Sequence, residues 1–304
     1  LDGGRALSTA DANGVLFVGG DFTSVARPSD VIGPFGAFDA TAGGLITADP
    51  RLTGVVNAIV DDGAGGWFLG GRMTAAGEAR SLVRIDAAGR QVTFDVDTED
   101  GFVQVFALAR VGNTLYLGGT FAMVNGQPRS RLAAVDIPTQ TVLPWRADVT
   151  GSVVRALTPL ASELLVGGTF GDVGGLPRTH FAAVDLVTGQ VSTWAPPIVG
   201  NEVTSIAASI DWLVIGGNFT EVAGQPARNV AVLDGIRLLR RLATTPLGPV
   251  QTVALDGNTL YVAGLFDDVA GATRHNAAAI DITGDRLLPW APLSSHSAVL
   301  AMTL

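Results

Sequence analysis

Apolar residues along this chain come in short runs of about five, separated by turn residues, and never at helical spacing over three turns. Six of these runs end in a glycine pair or its remnant, and the second glycines are 51, 48, 49, 49 and 47 residues apart. The six runs are Leu16–Gly20, Trp67–Gly71, Leu115–Gly119, Leu164–Gly168, Leu213–Gly217 and Leu260–Gly264, in which Ala263 replaces the first glycine. A fixed period of this size indicates a repeat architecture built from short strands.

Three further segments repeat with each run. A short run of small and β-branched residues precedes it, as in Val154–Leu157, and a run that ends in aspartate follows it, as in Phe181–Asp185. A turn such as Thr188-Gly189 then leads to a fourth segment that closes on an aromatic residue in four repeats. Four short strands per unit are typical of a propeller blade. The sequence therefore predicts an all-β protein, a β-propeller of six four-stranded blades forming a single domain over residues 1–304.

A seventh copy of the first strand, Val299–Met302, ends the chain. It would either close the ring or begin a missing blade, so a seven-bladed propeller completed by residues outside this chain is the alternative. The chain opens at Leu1 without an initiator methionine. We therefore expect a mature secreted form or a fragment of a longer protein, and the interrupted last repeat favours the fragment.

Composition removes several classes of function. The absence of cysteine excludes disulfides, thiolate nucleophiles and cysteine-ligated metals. The net charge is −9, and all 19 basic residues are arginines without a basic cluster, which argues against nucleic acid and anionic membranes as partners. No apolar run approaches the roughly 18 residues of a membrane-spanning helix, so no membrane insertion is expected.

The repeat resembles a known group. Phe170–Arg178 with Phe181–Trp194, and Phe219–Arg228, are good copies of the delta-60 and related kelch-like β-propeller repeats of exported bacterial proteins. The resemblance covers nearly the whole chain. It implies a secreted or cell-surface propeller, often an adhesive or structural part of a longer protein, and it implies no particular activity.

Two sets of charged residues recur with the repeat. Aspartates end the third strands, and we expect each to cap its own turn rather than join a ring of carboxylates; they are Asp39, Asp86, Asp136, Asp185, Asp234 and Asp281. Arginines recur in the loop after the second strand, and their repetition favours a structural role. They are nevertheless the candidates for binding on a loop face, together with two residues of the irregular first loop: Arg27, Asp30, Arg80, Arg129, Arg178, Arg228 and Arg274.

One acidic loop breaks the symmetry of the repeat. Asp95, Asp97, Glu99 and Asp100 alternate before Gly101, which resembles a calcium-binding loop. The spacing departs from that motif by one residue and the closing glutamate is missing, so a solvated acidic loop is the alternative. No other cofactor is predicted, because the three histidines lie at different offsets in the repeat.

The aromatic residues of the fourth strands, Trp145, Trp194 and Trp290, are expected to pack between blades. The sequence as a whole predicts a non-enzymatic module, secreted or on the cell surface, for protein interaction, adhesion or assembly. Its partners would be other protein chains or neighbouring domains of the same chain, and glycans are a further possibility. The alternatives are a glycan-active hydrolase, which needs two carboxyls at a defined separation, and a lectin-like module.

Overall fold

The computed structural model describes residues 5–12, 15–22, 34–39, 41–42, 45–47, 52–98, 103–235, 237–240, 242–292 and 298–302. Within these ranges the chain forms strands and turns and no helix. Six antiparallel sheets of four or five strands follow one another along the sequence, one for each repeat, and two short two-stranded hairpins accompany the third and sixth; this confirms the prediction of an all-β, six-bladed β-propeller. Contacts divide the chain into two compact units of three blades each, Leu1–Asp148 and Val149–Met302.

The first unit holds blades 1 to 3. Blade 1 contains β1 (Ala6–Ala12), β2 (Val15–Gly20), β3 (Phe35–Asp39) and β4 (Leu45–Thr47). Blade 2 contains β5 (Thr53–Asp61), β6 (Trp67–Ala75), β7 (Glu78–Ile85) and β8 (Gln91–Val92). Blade 3 contains β9 (Val105–Val111), β10 (Thr114–Gly119), the hairpin of β11 (Met123–Val124) and β12 (Gln127–Pro128), β13 (Leu132–Asp136) and β14 (Thr141–Val142).

The second unit holds blades 4 to 6. Blade 4 contains β15 (Val149–Leu160), β16 (Glu163–Val173), β17 (Leu176–Pro177) and β18 (Phe181–Asp185), and its fourth strand is reduced to one bridge between Val184 and Val191. Blade 5 contains β19 (Ile198–Ala208), β20 (Trp212–Val222), β21 (Gln225–Pro226), β22 (Val230–Asp234) and β23 (Leu239–Arg240). Blade 6 contains β24 (Val250–Asp256), β25 (Thr259–Gly264), β26 (Asp268–Val269), β27 (Ala272–Thr273), β28 (Ala277–Asp281) and β29 (Arg286–Leu287).

The second glycine of each pair lies where two strands of one blade approach closely. The first strand of every blade has a bulge opposite the glycine pair, and the bulge turns a main-chain carbonyl towards the second glycine. A Cβ atom on Gly71 would lie 2.0 Å from the Val55 carbonyl oxygen, and one on Gly119 would lie 2.1 Å from that of Gln104. Only glycine fits there, which explains why this position is glycine in all six repeats.

The first glycine of the pair makes room for the next blade. A Cβ atom on Gly19 would lie 2.5 Å from Val56 Cγ1, and one on Gly70 would lie 2.7 Å from Val105 Cγ1. Each of these valines belongs to the first strand of the following blade. Both glycines of the pair are thus required for packing. The second glycine leaves room for the bulge in its own blade, and the first leaves room for the neighbouring blade.

Consecutive blades of a unit share hydrophobic clusters. Phe68 and Leu82 of blade 2, for example, pack with Leu117 and Phe121 of blade 3. Blades 4 and 5 are joined in the same way, as are blades 5 and 6. Such nearest-neighbour packing is what stabilises repeat proteins, because a single repeat cannot bury its apolar face alone.

Among the fourth-strand tryptophans, Trp194 confirms the predicted packing between blades, since it packs on a cluster of residues from blades 4 and 5. Trp145 is 4% exposed and packs edge-on against Tyr116 of its own sheet, with the ring centroids 5.3 Å apart. Trp194 packs against Phe181 of its own blade and lies 4.3 Å beneath the Arg237 guanidinium of blade 5. Trp290 is 41% exposed and packs against Tyr261 of its own sheet, so the prediction that it is buried between blades is wrong.

The last described segment, residues 298–302, contains the predicted seventh copy of the first strand. It forms no strand, and the Val299 amide donates a hydrogen bond of 3.1 Å to the Gly264 carbonyl of blade 6. No helix among the described residues is both long and apolar enough to cross a membrane.

Candidate functional site

The aspartates that end the third strands cap their own turns, as predicted. Asp185 Oδ1 accepts hydrogen bonds from the Val187 amide at 3.0 Å and the Thr188 amide at 2.7 Å. The other five accept main-chain N–H groups of their own turns in the same way. The Thr188 amide lowers the pKa of the Asp185 carboxyl, and the Thr139 hydroxyl does the same for Asp136. These carboxyls therefore stabilise the blades and form no shared acidic site.

Three of the repeated arginines tie together the outer part of their own blade. Arg129 Nη2 donates to the Leu143 carbonyl at 2.7 Å, Arg178 Nη2 to that of Ser192 at 2.6 Å, and Arg274 Nη2 to that of Leu288 at 3.2 Å. Each Nη1 donates to the carbonyl of the preceding residue. We call this arrangement the arginine clip, because it joins the chain before the third strand to the end of the fourth strand.

A left-handed residue follows each clip arginine by two positions. The residues are Arg131, His180 and Asn276, with φ angles of 63°, 64° and 63°. Each donates its amide to the carbonyl of the phenylalanine that follows the glycine pair, as Arg131 does to Phe121 at 2.8 Å. This residue is one more than blade 2 has before its third strand. It determines the direction in which the side chain of the arginine two positions earlier points.

Blade 2 lacks the left-handed residue. Five residue steps separate Gly77 from Leu82, whereas six separate Gly126 from Leu132 in blade 3. As a result β6 and β7 form a hairpin that stays paired up to its turn, with Arg80 opposite Met73 and Glu78 opposite Ala75. Arg80 points along β7 and makes an ion pair with Glu78 at 2.7 Å. Blade 2 has no arginine clip among its described residues.

A cavity of about 230 Å³ lies beside β7 and β8 in blade 2. Leu82, Val83 and Phe94, all buried, supply its apolar lining. Val92 also lines it and is 38% exposed. Val92 of blade 2 corresponds to Leu143 of blade 3. Each lies two residues before the fourth-strand aromatic, Phe94 or Trp145. Each also lies opposite the third-strand residue that comes two positions before the capping aspartate. The cavity thus occupies the place that the clip arginine fills in blades 3, 4 and 6.

Two basic side chains of the cavity wall are paired with acids. Arg84 donates to Asp62 Oδ2 from Nε at 2.9 Å and from Nη2 at 2.7 Å, and Arg80 is paired with Glu78. Burial alone would raise the pKa of Asp62, but hydrogen bonds from the Ala64 amide and from Arg84 outweigh it and lower that pKa. Asp95 is the one charged group of the lining whose side chain has no partner among the described residues.

Blade 3 holds the main chain of Asp95 in place. The Asp95 amide donates to Gln140 Oε1 at 2.6 Å, and Asn125 Nδ2 donates to the Asp95 carbonyl at 2.7 Å. Asn125 Oδ1 accepts the Asp97 amide at 2.9 Å. The Asp97 carboxylate accepts the Ser81 hydroxyl at 2.7 Å and the Thr98 amide at 2.9 Å, so it serves the structure of this segment. Asp95 is therefore fixed at the cavity with its carboxylate available.

Of the predicted site residues that the structure describes, Arg80 and Asp95 both line the blade 2 cavity. Arg129, Arg178 and Arg274 are clips, and Arg228 is exposed and has no side-chain hydrogen bond within the described ranges. Arg27, Asp30, Glu99 and Asp100 lie outside the described residues. In the part of the chain that the structure describes, no three His, Asp or Glu side chains are grouped to hold a metal ion.

Sequence reasoning missed the apolar part of this site. It treated Arg80 as one more member of the repeated set and Asp95 as part of a separate acidic loop. The signal that separates blade 2 from the others is the single residue missing between Gly77 and Leu82. That deletion is visible once the repeats are aligned on both the turn glycine and the first buried residue of the third strand.

Comparison with known proteins supports the fold. No protein-family model matches the chain, and no curated protein matches it either. Solved structures of similar fold include the computationally designed Ika8 protein, with a TM-score of 0.60 and 16% identity over 99% of this chain and 91% of that one. The WD40 domain of Pan2 from Neurospora crassa has a TM-score of 0.60 and 15% identity over 98% and 82%. U3-55K has a TM-score of 0.67 and 13% identity over 99% and 85%.

These neighbours establish a β-propeller, a fold commonly used for protein interaction. At such identities they show the fold alone. The resemblance to the delta-60 and kelch-like repeats of exported proteins stays a prediction, because no family match accompanies it.

Proposed function

We propose that this propeller is a non-enzymatic protein-interaction module, exported or displayed on the cell surface, and that a partner docks at the cavity of blade 2. The observation that carries the proposal is the break in symmetry. Features that recur from blade to blade maintain the blades, whereas the blade 2 cavity exposes groups that an arginine covers in blades 3, 4 and 6. The exported repeats that this chain resembles support a role outside the cytoplasm.

The size of the cavity favours part of a protein over a small-molecule ligand. Its volume of about 230 Å³ is below the roughly 300–1,000 Å³ of typical small-molecule sites. The adjoining strand also offers an edge over Glu78–Arg80, since β7 pairs with β8 only at Arg84 and Ile85 and the Ser81 amide already donates to Asp97 Oδ1 at 3.1 Å. An extended segment of a partner would lie along this edge and place one side chain in the cavity.

The carboxyl groups favour binding over glycoside hydrolysis. A glycosidase needs one carboxyl whose pKa is raised so that it carries a proton at neutral pH. The described carboxyls with a shifted pKa are all shifted downwards, including Asp21, Asp62 and Asp285, because hydrogen-bond donors outweigh burial. None of these shifted groups has the property of a general acid.

Calcium binding by Asp95, Asp97, Glu99 and Asp100 stays a separate prediction. The Asp97 carboxylate already accepts bonds from Ser81 and Thr98, so calcium would have to replace them. A calorimetric titration with calcium chloride, repeated on Asp97→Asn, tests it. Heat of binding that the variant loses would support the site, and a flat titration of the native chain would end it.

Selection from a library of displayed random peptides tests the proposed function. We expect selected peptides to bind the native chain and to lose binding to Thr93→Trp, which places a large ring at the exposed edge of the cavity. Thr179→Trp, an exposed threonine in blade 4, is the matched control and should bind as the native chain does. Peptides that bind Thr93→Trp equally well, or turnover of a glycan substrate, would contradict the proposal.

A further inference from the structure

The chain itself shows what fits the space beside a third and fourth strand. In blades 3, 4 and 6 an arginine side chain occupies it and donates to the carbonyl of Leu143, Ser192 or Leu288. Each of these arginines donates to two main-chain carbonyls, and the blade 2 cavity adds an apolar wall of Leu82, Val83 and Phe94, which suits a flat guanidinium group on an apolar stem. Because the arrangement occurs in three blades, we take arginine as the side chain that this position of a blade accommodates.

Blade 2 has a cavity at this position and no arginine clip among its described residues. Arg80 has the same place in the sequence motif as Arg129, yet the missing residue turns it towards Glu78. No described side chain donates to the Val92 carbonyl, the counterpart of the Leu143 carbonyl. The cavity is therefore an arginine site at whose wall the chain's own Arg80 pairs with Glu78 and makes no hydrogen bond to the Val92 carbonyl.

The charges around the cavity complement a cation. Arg80 and Arg84 are both neutralised by acids, at 2.7 Å from Glu78 and from Asp62 respectively. Asp95 remains, with its main chain fixed by Asn125 and Gln140 of blade 3. The corresponding positions are Arg146 in blade 3, Ala195 in blade 4 and Ala291 in blade 6, so none of the three blades with an arginine clip has an acid there. A carboxylate beside a carbonyl gives a guanidinium two acceptors.

We infer that the blade 2 cavity binds an arginine side chain of a partner protein, in the position that the chain's own arginines take in the other blades. This inference rests on the proposed function and names the feature of the partner that is recognised. The guanidinium donates to the Asp95 carboxylate and to the Val92 carbonyl, and its stem lies on Leu82 and Phe94. The partner's arginine belongs to an extended segment that lies along β7.

The test uses three short probes, acetyl-Ala-Arg-Ala-amide and the same peptide with lysine or glutamate at its centre, titrated into the isotope-labelled full chain. We expect the arginine probe to give saturable amide shifts at Leu82, Thr93 and Asp95. The lysine probe should bind several-fold more weakly because it lacks the planar fork, and the glutamate probe should give no shifts there.

Variants identify the contacts. Asp95→Asn should weaken the arginine probe by about tenfold, as expected for loss of a charged hydrogen-bond partner, and Asp95→Arg, which copies blade 3, should abolish binding. Insertion of an asparagine between Ser81 and Leu82 restores the missing residue, so Arg80 should fill the cavity and displace the probe. Asp211→Asn, an exposed acid in a turn of blade 5, removes the same charge and should have no effect.

Several results would overturn the inference. They are failure of the arginine probe to saturate, preference for the glutamate probe, or equal affinity of the native chain and Asp95→Asn. The Asp95 variants decide the matter even if the insertion variant does not fold. Should displayed peptides bind at the cavity without containing arginine, the proposed function would stand and this inference would fail.

Discussion

Blades 2 and 3 share the same repeat and differ by one residue. In blade 3 the left-handed Arg131 directs Arg129 onto the Leu143 carbonyl, and the outer part of the blade is closed. In blade 2 that residue is missing, Arg80 pairs with Glu78, and a cavity opens with Asp95 at its wall. A residue type that recurs in the repeat can thus have two roles in one chain, because a shift of one position along a strand changes the direction of the side chain.

The largest contrast is expected at the fourth-strand aromatics. Trp145→Ala should lower the free energy of unfolding by about 3–5 kcal/mol, because the ring is buried beneath a closed blade. Phe94→Ala should cost less, about 3 kcal/mol or below, because the ring already borders a cavity and water can enter the space. Urea unfolding of both variants measures the difference, and a larger loss for Phe94→Ala would contradict the description of blade 2 as open.

The glycine pair should behave alike in the two blades. Gly71→Ala and Gly119→Ala each place a Cβ atom within 2.1 Å of a main-chain carbonyl oxygen, a clash that no side-chain movement relieves. We expect each to destabilise the protein by about 3 kcal/mol. Equal losses in denaturant unfolding would show that the blades diverge only beyond the glycine pair. A tolerated alanine in either blade would show that the bulge is not shared.

The arginines provide the next contrast. Arg129→Ala removes the donor to the Leu143 carbonyl and should cost about 1–3 kcal/mol. Arg80→Ala removes an ion pair with an exposed Glu78 and should cost about 0.5 kcal/mol or less. Thermal and urea unfolding would measure both. If the two substitutions cost the same, Arg80 would have to contribute to its blade as the clip arginines do.

The strand repeat and the turn caps were predictable from the sequence because they depend on local chemistry. A glycine pair, an aspartate before a turn and a short apolar run each specify structure within a few residues. The arginine clip was not predictable, because its acceptor lies 14 residues away and is a main-chain group without a sequence signature. Trp290 was misjudged for a related reason: its exposure depends on what packs over it, and the repeat motif specifies only its own blade.

The smallest expected effect is on how the stability of the protein depends on pH in acid. Hydrogen bonds from the turn, led by the Arg90 amide for Asp86 and the Thr139 hydroxyl for Asp136, lower the pKa of both carboxyls below the ordinary value of 3.8. A lowered folded-state pKa adds stability that is complete above about pH 4 and is lost as the pH falls through the folded-state pKa. Asp86→Asn and Asp136→Asn should therefore flatten the fall of stability below pH 4 to a similar extent. If the fall of stability below pH 4 is the same in the variants as in the native chain, these aspartates do not stabilise the protein as turn caps.

Hydrogen exchange at the arginine Nε–H groups tests the difference between the two blades most directly. The Nε atoms of Arg129, Arg178 and Arg274 are buried, whereas the Arg80 side chain is 32% exposed and paired with an exposed acid. We predict slow exchange for the three clip arginines and fast exchange for Arg80 in nitrogen-15 spectra. With asparagine inserted between Ser81 and Leu82, Arg80 should become as slow as the clips. Slow exchange of Arg80 in the native chain would mean that blade 2 is already closed by its own arginine, and would contradict the open cavity.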